Sequence, residues 1–396
     1  MLAVFPLNHP AGVSGGVASY RTSVRIEDLA GLAKSLPKQR LGGGALALYV
    51  LPFEELLVVW SVVARTMMNS LDSSASPALS VIFITPDSYQ NLATTIRFLR
   101  AQTIRERIEI VIVAPSSETL GLKRDELRVF AGVQVVTVGE IRSIGASYAA
   151  GVRRATAPIV VFGEDHSFPR PDWAERLVQA HQQPWAVVGP RVCNANPGSK
   201  VARADYLIAY GQWGDAVPAG EMEHLPGHNS SYKRALLLEY GSHLDDMLEA
   251  ESVLHWDLRR KGHHLYLETA ARTSHINFSR FSSWTVTQFQ AGLVFAAFRA
   301  YNEHWPLSRR LFFALAAPLI PFVRLRRIMK LPGNLGGKRN LLPILIFGLG
   351  LDSLGQMLGY ALGRTLAAHR FTYFEFKRVK HVRKGDTAAW VSKSYA

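Results

Sequence analysis

The run VVFGEDHSFPRPDW, Val160 to Trp173, brings an apolar stretch straight onto Glu164, Asp165 and His166. Two carboxylates beside an imidazole offer the donors that hold a divalent cation. Mg²⁺ and Mn²⁺ take oxygen ligands, and Mn²⁺ also accepts imidazole. The plain alternative is a polar loop opening into water. Three titratable groups at the end of an apolar run favour the functional reading, because charge at the border of a core costs free energy unless it is paired. Further along lie LPGHNSSYKRALLLEYG (225–241) and the polar helical segment LEAESVLHWDLRRKG (248–262). The single cysteine, Cys193, excludes an internal disulfide and a Cys-rich zinc centre.

Elements able to position these residues are legible around them. LSVIFIT (79–85), IEIVIVA (108–114), VQVVTV (133–138) and PIVVFG (158–163) are short apolar runs rich in β-branched residues. That is the pattern of strands buried on both faces of a parallel sheet. Between them, NLATTIRFLRAQ (91–102) places Leu92, Ile96 and Leu99 at helical spacing, and SIGASYAAGVRRA (143–155) reads as a small-residue helix. Alternating strands and helices indicate an α/β sheet, whose ligands bind beyond the carboxyl ends of the strands. The turn after Thr85, the PSS after Ala114 and the Glu164–His166 cluster all fall at that edge. Further along, DWAERLVQAH (172–181) is amphipathic, and WAVVGP (185–190) and HLYLE (264–268) read as strands. Gly262 is placed to cap a helix that ends in Arg259, Arg260 and Lys261. GASYAAGVRR lacks the G-x-G-x-x-G order, and no P-loop is present.

The order of these pieces resembles the family 2 glycosyltransferases, which have the GT-A fold. SVIFITPDSYQNLATTIRFLRAQT (80–103) is similar to that family's opening strand, turn and helix, and IEIVIVAPSS to its second strand. FGEDHSFPRPDW fits the strand ending in the Asp-x-Asp motif, and GHNSSYKRALL (227–237) the Gly/Asn turn before an Arg and a helix. AESVLHWDLRRKGHHLYLE (250–268) fits the acidic acceptor-side helix, and TSHINFSR (273–280) the His that follows. The resemblance spans residues 80–280, about half the chain.

It implies an inverting transferase of hexosyltransferase type, moving a sugar from a nucleotide-sugar donor to an acceptor hydroxyl with Mn²⁺ or Mg²⁺. Glu251 takes the position of the general base. Thr85, Asp87, Ser116, Glu164 and Asp165 fall on the donor side, and His228 with Asn229 on the acceptor side. His166, Asp165 and His275 are the candidate metal ligands. Three departures stand out. Glu164 and His166 occupy the Asp-x-Asp slot, Ala114 and Pro115 stand where a base-binding Asp is usual, and the processive Gln-x-x-Arg-Trp signature is missing, SRFSSW (279–284) being no substitute. The last departure indicates single-sugar transfer. The first two motivate an alternative, a catalytically degenerate GT-A-like binding or assembly subunit.

The chain carries a net charge of +14, and residues 301–396 hold most of it, with 16 Lys/Arg against 4 Asp/Glu. A basic end of this kind suits an anionic surface. Its charges alternate with aliphatic runs rather than with stacking aromatics, which favours a membrane over nucleic acid. In RRLFFALAAPLIPFVRLRRIMK (309–330) the apolar middle, Leu311 to Val323, is too short to span a bilayer, which takes about 20 residues. It contains Pro318 and Pro321 and reads as an interfacial segment. LLPILIFGLGLDSLGQMLGYALG (341–363) is long enough to span; a transmembrane helix, a re-entrant hairpin and a helix packed on the enzyme all stay open. Its Gly355, Gly359 and Gly363 recur at four-residue spacing, a face for close helix packing. FEFKRVKHVRKGD (374–386) reads as a basic, partly amphipathic end. Residues 1–77 read as a poorly ordered or amphipathic extension, 78–281 as the GT-A domain and 282–396 as a basic helical, membrane-associated region. The expected location is the cytoplasmic face of the cell membrane, with a lipid-linked or surface-glycan acceptor.

Overall fold

The computed structural model describes residues 76–333, 335–364 and 370–391, so the expected N-terminal extension lies outside the described residues apart from its last two positions. Strands β1 (Leu79–Ile84), β2 (Ile108–Ala114), β3 (Gly132–Thr137) and β4 (Ile159–Phe162) form the parallel half of a sheet, in the order β3-β2-β1-β4. The sheet continues through β8 (Ser231–Lys233), β6 (Val187–Asn194), β9 (Leu265–His275) and β5 (Ser167–Pro169), with β7 (Gly220–Glu221) pairing β9. β8 runs antiparallel to β4 and β6, and β5 antiparallel to β9, so the sheet is mixed.

The apolar runs of β1 and β2 are continuous because both faces are covered, yet the strand period still sorts them. Ile82, Ile84, Val111 and Val113 face one core, with Tyr148, Ala149 and Val152 of helix α2 (Ile144–Arg154). Val81, Phe83, Ile110 and Ile112 face the other, with Leu92, Ile96 and Leu99 of α1 (Tyr89–Arg100) and Trp173 and Leu177 of α3 (Trp173–Ala180). Each such fully buried side chain contributes roughly 1.5–3 kcal/mol relative to exposure. The small residues of α2 let it lie close to the sheet: a Cβ on Gly151 would meet Ile82 Cγ2 at 2.3 Å. Ser143 caps α2 by accepting from Ala146 N at 2.9 Å.

The described residues belong to one compact unit. Asp205 on α4 (Lys200–Ala209) joins the sheet body to α6 (Phe281–Asn302), which follows α5 (Glu251–Arg260) and β9. Its buried carboxylate accepts from Phe278 N at 2.9 Å, Trp284 Nε1 at 3.0 Å and Gln288 Nε2 at 2.9 Å. Helices α7 (Leu307–Ala316) and α8 (Ile320–Lys330) meet at a short 3-10 turn carrying Pro318, and Pro321 sits in the first turn of α8 where its missing N–H costs nothing. The long apolar segment is one continuous helix, α9 (Leu342–Leu362), rather than a re-entrant hairpin. It packs on α6 at glycine contacts so close that a Cβ on Gly355 would lie 2.0 Å from Phe289 O. Asp352, near its centre, is buried and paired with Arg324 at 2.7 Å.

The chain then returns to the sheet through α10 (Arg370–Phe376) and α11 (Lys384–Val391). Trp390 stacks on Phe168 with ring centroids 4.9 Å apart and donates to Ala195 O at 2.9 Å, while Asp386 accepts from Asn196 Nδ2 at 3.3 Å and from Ser279. The basic end is therefore docked on the sheet's ligand edge.

Candidate active site

β4 ends at Phe162, and the chain turns at Gly163 to carry Glu164 out of the core, 5% exposed. Three residues later β5 begins, and its Ser167 pairs opposite His275, the last residue of β9. That register, with Ile276 N donating to His166 O at 3.1 Å, sets the rings of His166 and His275 4.8 Å apart beside Glu164.

Glu164 Oε2 accepts from Ser167 Oγ at 2.6 Å and from Asn229 Nδ2 at 2.7 Å. Its Oε1 has no hydrogen-bond partner although buried, and the same holds for His166 Nε2, 3.5 Å away. Outer partners fix both imidazoles. His166 Nδ1 lies 2.6 Å from Asp165 Oδ1, and His275 Nδ1 lies 3.1 Å from Asn277 Oδ1. Both partners are acceptors, so each Nδ1 carries a proton and each Nε2 is left directed towards Glu164. His275 Nε2 stands 3.7 Å from Glu164 Oε2 and 3.2 Å from the Tyr210 hydroxyl. Glu164, His166 and His275 thus offer donor atoms within 4.8 Å of one another, a group able to hold a metal ion. Buried polar atoms without a partner, directed at one another, fit a cation site.

The electrostatics agree. Burial opposes charge on Glu164, but its neighbours, His228 foremost, and the Ser167 hydroxyl outweigh it and hold its pKa well below the usual carboxylate range. Burial pushes the His275 imidazole down to about 3, with His166 and Arg378 adding to the effect, so this ring is neutral and ligand-competent. For His228 burial acts downward, but Glu164, Glu251 and Glu375 prevail and raise its pKa. Its Nδ1 is 3.7 Å from Glu164 Oε1 and its Nε2 3.5 Å from Glu251 Oε1, so it bridges the two carboxylates.

Glu164, His166 and His228 line a small cleft bounded also by Ile84, Tyr148, Asp165 and Glu375. The remaining sequence candidates lie around it. Glu251, at the start of α5 and half-buried, is reached through His228 rather than lining the cleft. Asn229 adopts φ of 63° and is buried beneath Glu164, donating to Ser167 Oγ at 3.0 Å as well. Thr85 is buried and donates to Ser88 O at 3.1 Å, and Ser116 accepts from Glu118 N at 3.1 Å, so both hydroxyls serve their own turns. Asp87 is exposed, accepts from Asn91 Nδ2 at 3.1 Å and pairs with Lys377.

Four further residues belong to the neighbourhood without having stood out in the sequence. Tyr148 donates to Gly163 O at 3.0 Å and stands 3.3 Å from His228 Nδ1; Tyr210 contacts His275. Glu375 and Arg378 come from the C-terminal segment. Glu375 Oε1 is 3.6 Å from His166 Nε2, and Arg378 Nη2 donates to both Glu375 oxygens at 2.7 Å.

Residues 80–241 match the model of glycosyl transferase family 2. This part of the chain is similar to a family 2 glycosyltransferase domain. No curated protein matches the chain. The mixed sheet with flanking helices fits the GT-A fold of glycosyltransferase family 2, and the family implies a nucleotide-sugar donor and an acceptor. The matched segment contains Glu164, His166 and the Gly227–Asn229 turn, while Glu251, His275 and Glu375 lie beyond its end.

Proposed function

We propose that the chain is an inverting, metal-dependent glycosyltransferase of hexosyltransferase type that adds a single sugar to a lipid-linked or surface-glycan acceptor. One observation carries this reading: Glu164 Oε1 and His166 Nε2, buried and unpartnered, converge with His275 at the carboxyl end of β4. A bound Mn²⁺ or Mg²⁺ would neutralise the charge developing on the departing nucleoside diphosphate. The protein does the rest. Asn229 and Ser167 fix Glu164, Asp165 fixes His166, and Asp87 and Ser116 stand at the neighbouring strand ends on the donor side. Glu251 takes the proton of the acceptor hydroxyl as its oxygen bonds to the anomeric carbon from the face opposite the breaking bond to the diphosphate. His228 holds Glu251 in place through its charge.

Helices α7 and α8 support contact with the cytoplasmic face of the membrane. Leu311, Phe312, Leu315, Leu319, Phe322 and Val323 are exposed in sequence between Arg309 on one side and Arg326, Arg327 and Lys330 on the other. An apolar ridge with basic flanks suits an anionic interface, each flank charge adding roughly 1 kcal/mol near the surface. Among the described residues one helix, α9, is long and apolar enough to cross a membrane, with 44% of its most apolar window buried in the protein.

A panel of nucleotide-sugars with Mn²⁺ or Mg²⁺ tests the activity. The expectation is that Glu251→Gln abolishes transfer while nucleoside diphosphate binding survives; normal turnover in that variant would sink the base assignment. A second reading, a GT-A-like binding or assembly subunit, is favoured by the engagement of the Asp87 carboxylate with Lys377 at the donor side. Calorimetry with nucleoside diphosphates separates the two: no binding with or without Mn²⁺ supports the subunit.

A further inference from the structure

We propose that Glu375, delivered by the C-terminal helix α10, is a fourth ligand of the metal site, so that the far end of the chain completes the catalytic centre. The inference rests on the metal-dependent reading above and goes beyond its three ligands.

Ligand atoms about 2.1 Å from one small ion lie roughly 3.0 Å apart at neighbouring octahedral positions and roughly 3.4 Å apart at tetrahedral ones. His166 Nε2 stands 3.5 Å from Glu164 Oε1 and 3.6 Å from Glu375 Oε1, and Glu164 Oε2 stands 3.7 Å from His275 Nε2. His166 Nε2 therefore faces two carboxylate oxygens at near-ligand spacing, and it has no hydrogen-bond partner. Glu375 is buried in the same cleft as Glu164. Two buried carboxylates facing one ring nitrogen repel one another, and a cation lying among them relieves that repulsion.

Arg378 does not remove this need. Its single Nη2 donates to both Glu375 oxygens at 2.7 Å, and a carboxylate has further lone pairs for a metal. The guanidinium sits 3.7 Å from the centre of the Phe278 ring. It orients Glu375 as Asp165 orients His166 and Asn277 orients His275, so each of these three has an outer partner of its own. Glu164 has Ser167 and Asn229 in that role. The segment is held on the sheet independently of the site, through Trp390 on Phe168 and Asp386 on Asn196.

The test uses the full chain. Mn²⁺ binding is followed by electron paramagnetic resonance, and Co²⁺ substitution by its visible absorption, in wild type, Glu375→Gln, Glu375→Asp and His166→Ala. Glu375→Asp keeps the charge facing Arg378 but withdraws the oxygen by one methylene, so it stays folded if the Gln variant does not. The expected result is at least a tenfold weaker Mn²⁺ affinity in both Glu375 variants, with an altered Co²⁺ spectrum. If wild type binds Mn²⁺, His166→Ala loses it, and the folded Glu375 variants match wild type in affinity and spectrum, Glu375 is no ligand and only this inference falls. If wild type binds neither ion, the metal-dependent reading falls with it.

Discussion

Ser167 on β5 stands directly opposite His275 on β9, and that one register pair assembles the candidate metal site. A strand slip by one residue would turn His275 to the other face of the sheet and separate it from Glu164. Because His166 precedes Ser167 by one residue, the pairing brings its ring to His275 from the neighbouring turn.

Divalent cations should stabilise the folded protein. A ligand that binds only the native state adds RT ln(1 + [L]/Kd), about 2.7 kcal/mol at a hundredfold excess over Kd. Mn²⁺ is expected to raise the melting temperature of wild type by several degrees, and chelator to reverse it. His166→Ala should abolish the shift, because the orphaned Nε2 is gone. An equal shift in both proteins would place the ion elsewhere.

Asn229 is expected to matter through Glu164. It occupies φ of 63°, where asparagine is tolerated and most residues are strained, and it spends its amide on Glu164 Oε2 and Ser167 Oγ. Asn229→Gly relieves the backbone but loses both bonds, leaving a buried charge short of a donor at a cost of about 1–3 kcal/mol. The predicted outcome is a folded protein with a lower melting temperature and at least tenfold lower kcat. Asn229→Ala, strained as well as unbonded, should melt lower still; the reverse order would count against the conformational argument.

How far the sequence revealed this site depends on how local each signal is. β1, β2 and β4 are continuous apolar runs because both sheet faces are covered, so their ends, and hence Glu164 and His166, can be placed by inspection. β9 is harder. The sequence reading stops at Glu268, whereas the strand continues through TAARTSH to His275, a stretch with little apolar character that owes its conformation to pairing with β6 and β5. Glu375 has no local signal at all. In FEFKRVKHVRKGD it sits among basic residues and reads as one face of a solvated segment; only tertiary docking turns it inward. Gly355 was legible for a physical reason, since close helix contact demands a missing side chain, but the helix it meets, α6, was not.

Acidification should destabilise the fold well above the carboxylate range. Burial pushes His255 down to about 3 and, with help from Lys233, His181 down to about 4. Both are held by hydrogen-bond partners rather than by charge: His255 Nε2 lies 2.9 Å from the Tyr232 hydroxyl and His181 Nε2 2.9 Å from Ser231 Oγ. Below the ordinary histidine pKa of about 6.5 the unfolded chain binds protons that the native state refuses. Their contribution is therefore complete above that pH and is lost as pH falls towards about 4 for His181 and about 3 for His255. Each adds a slope of up to about 1.4 kcal/mol per pH unit. Asp205 works in the opposite sense. Burial raises its pKa to about 6 despite Arg378, so its contribution fades as pH rises through that value. Urea melts between pH 7 and 5 should show a falling midpoint, and His255→Gln should flatten the slope. An unchanged slope would mean that the ring is solvated.

The apolar ridge of α7 and α8 can be tested without touching the catalytic site. Leu315 is 84% and Phe322 72% exposed, so replacing either with Glu removes no core packing, and the melting temperature should stay within about a degree. At an anionic interface the same changes withdraw an inserted apolar side chain and add a repelled charge. Sedimentation with vesicles containing a third phosphatidylserine should show wild type bound, the Leu315→Glu, Phe322→Glu double variant at least tenfold weaker, and binding weakened by salt. Zwitterionic vesicles should bind less, because the Arg326, Arg327 and Lys330 flank gains little there. If the double variant sediments like wild type, the ridge does not face the membrane, and α9 with its exposed Ile346 and Phe347 becomes the surface to mutate next.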